Sequence, residues 1–189
     1  MDADRPANGP ILSLFSTPLT LIGCSGDDGP NAQVSVSTYG AGVVPDQPRL
    51  ITALYKANAT HDLVMTKGSF TICVLCEAQI DLIPALGFVS SHAGPKLEGL
   101  DFHLTPNGNP VFEGSLGCAE CEVIEAFDMG DGTAFLSAVL HHERLTNATP
   151  LYWSRLLPQL PQEWQQRWAE KIARDIERYR PMMHWLPAD

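Results

Sequence analysis

The chain has 189 residues, 44% hydrophobic and 18% charged, with a formal net charge of −10 and a pI near 4.9. That size and balance fit one globular domain with a sizeable core and exclude a disordered chain. So acidic a surface repels phosphate backbones and anionic lipid, so neither nucleic acid nor a membrane is expected as a partner. No apolar run approaches the ~20 residues of a membrane-spanning helix, and Met1-Asp2-Ala3-Asp4-Arg5-Pro6 lacks a basic-then-apolar leader pattern. Five cysteines, an odd number without the spacing of a small disulfide scaffold, read as reduced thiols of a cytoplasmic protein.

In chain order, residues 1–10 form a polar arm with Pro and Gly. Residues 11–145 form the main domain, a series of short β-type runs: Leu19–Cys24, Gln33–Thr38, Leu50–Tyr55, Phe70–Leu75, Cys118–Ala126 and Ala134–His142. Turn signals separate them, among them Gly26-Asp27-Asp28-Gly29-Pro30, Asn107-Gly108-Asn109-Pro110 and Gly130-Asp131-Gly132. Two helices interrupt the series. Thr60 reads as the N-cap of a short helix ending at Gly68, with Asp62 in its first turn and Lys67 in its last. Glu77–Leu86 reads as another, with Pro84 ending or bending it. The fold class is therefore mainly β with peripheral helices, a barrel or a sandwich. Residues 146–189 form a helical extension. Trp164, Trp168, Ile172, Ile176 and Tyr179 recur at steps of three or four between Pro161 and Pro181. This stripe packs on the barrel or on a second subunit, or else its Trp residues line a ligand pocket.

Two neighbouring segments carry candidate anion donors. Alternation over Gln33–Thr38 puts Val34 and Val36 on one face and Ser35 and Ser37 on the other, leading into Thr38-Tyr39-Gly40. Downstream, Tyr55-Lys56-Ala57-Asn58-Ala59-Thr60 joins a strand to a helix start, whose unpaired N–H groups suit a phosphate. Lys56 adds a charge there, and Asn58 and Thr60 add neutral donors. His61, beside them, either donates to the anion or is exposed. Other constellations are weaker. Cys73-Val74-Leu75-Cys76 and Cys118-Ala119-Glu120-Cys121 have zinc-like spacing, but residues three apart on a strand face opposite sides. No Gly-x-Ser-x-Gly elbow or Ser/His/Asp order suggests a hydrolase.

Five pieces, in order, resemble the flavin-reductase-like family, particularly its flavoredoxin-type members. They are Ser37-Thr38-Tyr39 running into Gly42-Val43-Val44; Tyr55-Lys56-Ala57-Asn58-Ala59-Thr60-His61; Gly68–Leu75; Gly87–Lys96; and Pro110–Gly114 followed by Glu120-Cys121 and Gly130-Asp131-Gly132. The resemblance implies a split β-barrel of Greek-key type that binds FMN at a homodimer interface, with NAD(P)H as a possible co-substrate. It implies that Ser37, Thr38 and Tyr39 contact the flavin and its ribityl chain. Lys56, Asn58 and Thr60 would hold the phosphate, with Ser90 and Lys96 on a loop near the ring or the phosphate. The chain departs from the family at Gly132, where a His is common, at Cys73, where Asn is usual, and at His92-Ala93. The expected function is an FMN-dependent NAD(P)H:flavin oxidoreductase or a flavoredoxin-like electron carrier; the alternative is a ligand-binding module without turnover.

Overall fold

The structure is a computed structural model that describes residues 11, 15–89, 94 and 96–183. The expected N-terminal arm, and Ser90, His92 and Ala93 of the expected loop, lie outside the described residues.

Seven strands form one antiparallel sheet: β1 (Thr20–Gly26), β2 (Gly29–Ser35), β3 (Thr38–Gly40), β4 (Arg49–Tyr55), β5 (Ser69–Val74), β8 (Gly117–Asp128) and β9 (Gly132–Arg144). Their order across the sheet is β2-β1-β5-β8-β9-β4-β3. A separate ribbon pairs β6 (Phe102–Leu104) with β7 (Pro110–Phe112). The outermost strands, β2 and β3, are joined only by Val36 and Ser37. In a flat sheet the two edges would lie about 29 Å apart, whereas Ser35 and Thr38 are three residues apart and at most about 11 Å. The sheet must therefore curl until its edges meet. Thr38 marks the meeting: its Oγ1 lies 3.3 Å from Thr20 Oγ1 on β1 and 3.4 Å from Thr52 Oγ1 on β4. The architecture is a half-barrel curled from one sheet, as expected for a split barrel. The single strand expected over Gln33–Thr38 is broken at this corner, where the Ser35 hydroxyl accepts the Ser37 N–H at 3.2 Å.

Period-two alternation sorts the apolar side chains into two clusters. Ile22, Phe70, Ile72, Cys121 and Phe135 pack on one face of the sheet together with Val64. Leu19, Leu21, Cys73 and Leu75 pack on the other against Ile83, Leu86, Phe112 and Leu156. Cys118 and Cys121 belong to opposite clusters, as strand spacing requires. Burial pushes the Cys73 and Cys121 thiols up to about 12. Among the described residues no three His, Cys, Asp or Glu side chains are grouped as metal ligands.

Helix α1 spans Ala59–Lys67. Its N-cap position is Asn58 rather than Thr60, and Gly68 ends it in the left-handed conformation at φ 72°. The second expected helix is split into a 3-10 turn over Glu77–Gln79 and α2 over Leu82–Gly87. Pro84 sits inside the first turn of α2, where a missing N–H costs no hydrogen bond. A short α3 (Trp153–Leu156) precedes α4 (Gln162–Tyr179). No described helix is long and apolar enough to cross a membrane.

Gly132, where the resemblance led us to expect a His, lies opposite Tyr55 in the β4–β9 register. A Cβ at this position would lie 2.8 Å from the Leu54 carbonyl oxygen and 3.3 Å from Met129 Cε. The backbone of β4 thus fills the space a side chain would need. Gly132→Ala is expected to destabilise the protein by about 1–3 kcal/mol. That exceeds the about 0.4–1 kcal/mol gained by stiffening the unfolded chain. A lower urea midpoint at unchanged slope is the expected result; an unchanged or raised midpoint contradicts the close approach.

Candidate functional site

A cavity of about 170 Å³ opens at the seam where β2 ends, between the start of α1, the end of α2 and the inner face of α4. Of the residues singled out in the sequence, Ser37, Asn58, Thr60 and Lys96 line it. The curl of the sheet brings Ser37 to the first turn of α1, and the Ala53 N–H holds the Ser37 carbonyl at 2.9 Å. Thr60 is buried, and its Oγ1 accepts the Asn31 amide at 3.1 Å, leaving its own proton to donate.

Lys96 donates to the Val89 carbonyl at 3.2 Å. Burial and, after it, the neighbouring charge of Lys171 push Lys96 down from 10.5 to about 8. Gln33, 8% exposed, also lines the cavity, and its Oε1 has no hydrogen-bond partner. Apolar walls complete the site: Leu19, Val34, Ile83, Leu86, Phe88 and Ile172.

The remaining candidates are placed elsewhere. Lys56 Nζ is bound to Asp128 Oδ1 at 2.7 Å, at the end of β8. Thr38 lines a second, more open cavity of about 420 Å³ beside Thr20, Leu50, Ile72, Val74 and Leu116. Tyr39 is 45% exposed on β3. Ser90 lies outside the described residues. His61 neither faces the anion site nor is exposed. It is buried, with Nδ1 2.9 Å from Asp62 Oδ1 and Nε2 2.9 Å from Thr133 Oγ1 on β9.

Helix α4 supplies the apolar stripe expected from the sequence and, beside it, two charged side chains that the sequence pattern did not single out. Trp168, Lys171, Ile172 and Asp175 line the cavity, three or four residues apart along one helical stripe as 168/171/175 and 168/172/175. Ile176, expected on that stripe, is 49% exposed. Lys171 and Asp175 form an ion pair, each less than a quarter exposed. Aromatic contacts fasten the helix: Trp168 meets Trp153 at 4.7 Å and Phe88 at 6.1 Å between ring centroids, and Tyr179 stacks on Tyr55 at 5.1 Å. The apolar period was visible in the sequence. The inward-facing charges were hidden, because a Lys–Asp pair four residues apart reads as a solvated helix face.

A half-barrel curled from one antiparallel sheet, with a cavity at its seam, defines a split-barrel fold. The sequence profile of the Flavin reductase like domain matches residues 12–159, and the chain belongs to that family. Among curated relatives, it is 29% identical over 129 residues to "Flavin-dependent monooxygenase, reductase subunit HsaB" of Mycobacterium tuberculosis. That alignment covers 68% of this chain and 66% of the relative, just under two thirds of the relative's length. It is also 29% identical to "FMN reductase (NADH) SmoA" of Agrobacterium fabrum, covering 68% of this chain and 71% of that one. Among solved structures, BorF, the flavin reductase component of a bacterial two-component tryptophan halogenase, superimposes with a TM-score of 0.64 at 25% identity. The superposition covers 76% of this chain and 89% of BorF.

The position of Lys96 has a consequence for stability. The unfolded chain holds this proton up to about pH 10.5, the folded protein only up to about 8. Between those values the unfolded state binds the extra proton, so this group's contribution to stability rises with pH. Below about pH 8 its burial cost is present in full. Lys96→Met is expected to remove this rise. Urea midpoints of the two proteins, followed across the window, should therefore draw together as pH increases. A constant difference contradicts the depressed lysine.

Proposed function

We propose that this chain is an FMN-dependent NAD(P)H:flavin oxidoreductase working as a cytoplasmic homodimer, with the seam cavity as its flavin-phosphate site. The observation that carries the reading is the convergence of Ser37, Asn58, Thr60 and Lys96 on one cavity at a helix start. The first turn of α1 offers backbone N–H groups and a partial positive charge, Asn58 and Thr60 offer neutral donors, and Lys96 a full charge. The donor set fits a phosphate in an otherwise acidic protein.

Ser37, with Thr38 and Tyr39 following it, would contact the ribityl chain and the ring edge. A volume of about 170 Å³ is below the ~300–1,000 Å³ of pockets that enclose a whole ligand, so the cavity takes the phosphate end and the ring lies towards the opening. Lys56 would reach the phosphate only by leaving Asp128, and the reading gives it no direct contact. Ser90 would lie on the loop leading to Lys96.

When bound, the flavin supplies the hydride acceptor, and the protein binds, orients and tunes it. No acid–base pair is required of the chain. The name of the Agrobacterium relative favours FMN and NADH. A second copy would cover the open apolar cavity beside Thr38 and the exposed Tyr39, Val43 and Val44. Five free cysteines fit a reducing compartment.

Three measurements test the reading: FMN titration followed by flavin fluorescence, NADH and NADPH oxidation with added FMN, and sedimentation to give the oligomeric state. FMN binding is expected, and Lys96→Met should weaken it at least about tenfold, the worth of one charge-assisted hydrogen bond. Absence of flavin binding, or an affinity unmoved by Lys96→Met, contradicts the site. Binding without nicotinamide oxidation would make the protein a flavin-binding module instead of a reductase.

A further inference from the structure

The family-matched stretch ends at residue 159, and α4 begins at Gln162. One wall of the cavity therefore comes from an element outside that stretch. The wall is unusual for a packing helix. Its inward stripe carries Trp168 and Ile172, as burial demands, but also Lys171 and Asp175. Holding two long charged side chains on a half-buried face costs desolvation and rotamer freedom that apolar residues would avoid.

A second oddity compounds the first. Lys171 lies close enough to Lys96 to disfavour its charge, and both line the same cavity. Two cations facing one small cavity repel each other unless an anion lies between them. In this structure Asp175 neutralises one of the two, leaving a net single positive charge among the cavity's ionic side chains Lys96, Lys171 and Asp175.

We propose that Lys171 is a second cation of the flavin-phosphate site: it leaves Asp175 to bind the phosphate together with Lys96, and Asp175 is the counter-ion that competes with the phosphate for it. This rests on the seam cavity's being the flavin-phosphate site. Trp168 holds Lys171 in place, with Nζ 5.8 Å from the ring centroid and the ring wedged against Trp153 and Phe88. The pair Lys171 and Asp175 thus sets the affinity for a phosphate ester, in opposite directions. A purely structural ion pair would lose helix packing when either partner was removed, and ligand affinity would move the same way in both variants.

The experiment measures the affinities of FMN and riboflavin for the full chain and for Lys171→Met, Lys171→Arg and Asp175→Asn, by quenching of flavin fluorescence, with circular dichroism confirming that each variant is folded. Lys171→Met should weaken FMN by about tenfold and leave riboflavin within about twofold. Lys171→Arg should retain FMN. Asp175→Asn should tighten FMN by roughly threefold, the worth of a partly exposed ion pair no longer competing. Equal losses for FMN and riboflavin in Lys171→Met, or weaker FMN binding in Asp175→Asn, overturn the proposal. If Lys96→Met weakens FMN while Lys171→Met does not, Lys171 is excluded and the flavin-phosphate site stands. If the unmodified protein binds no FMN, the site assignment falls, and the role of Lys171 with it.

Discussion

The two-residue link Val36–Ser37 governs the arrangement of everything else. It connects strands that lie at opposite edges of a seven-stranded sheet, and so short a tether leaves only a curled sheet as a solution. Closing the curl brings a Thr from each of β1, β3 and β4 to one place, with Thr38 Oγ1 between Thr20 and Thr52. The same closure sets Ser37 beside the start of α1, a helix that is separate from it in sequence. The strand-end donors of such a site are positioned by backbone hydrogen bonds and strand register. Ser37 follows β2 and Asn58 and Thr60 follow β4, so the core behind those strands preorganises them, while Lys96 comes from the segment after α2.

The core explains why the corner is rigid. Side chains alternate across each strand, so the sheet carries an apolar cluster on both faces. The face holding Leu19, Leu21 and Leu75 is covered by α2, the β6–β7 ribbon and the segment that leads into α4. Of these, α2 and the segment around Trp153 also wall the cavity, so there packing energy and site geometry come from the same contacts. Phe88, Trp153 and Trp168 meet edge-on or tilted, an arrangement that adds directional preference to apolar burial.

Much of this was legible in the sequence, for identifiable reasons. Strands at Leu50–Tyr55 and Phe70–Leu75 were marked by β-branched and aromatic residues between turn signals, and appear as β4 and β5 with ends shifted by a residue. Gly68 and Lys67 fixed the end of α1, because a left-handed residue and a terminal cation are local requirements. What depended on three-dimensional neighbours was not legible. Asn58 takes the cap position from Thr60, whose hydroxyl is drawn instead to Asn31 across the core. His61 is held by Thr133, 72 residues away, a contact that no local pattern announces. Lys56 pairs with Asp128 for the same non-local reason. Gly132 read as the loss of a functional His, yet the carbonyl of Leu54 occupies the place of any side chain there. Lys171 and Asp175 were not singled out because a helix pattern shows which residues share a face, and not whether that face also borders a cavity.

The central claim is that the barrel seam holds the phosphate of a flavin nucleotide. A crystal structure of the protein with FMN tests it most directly. The account predicts phosphorus density at the first turn of α1, with phosphate oxygens within hydrogen-bond reach of Asn58 or Thr60 and of Lys96. A flavin whose phosphate lay away from that turn, for example in the more open cavity beside Thr38, would contradict it.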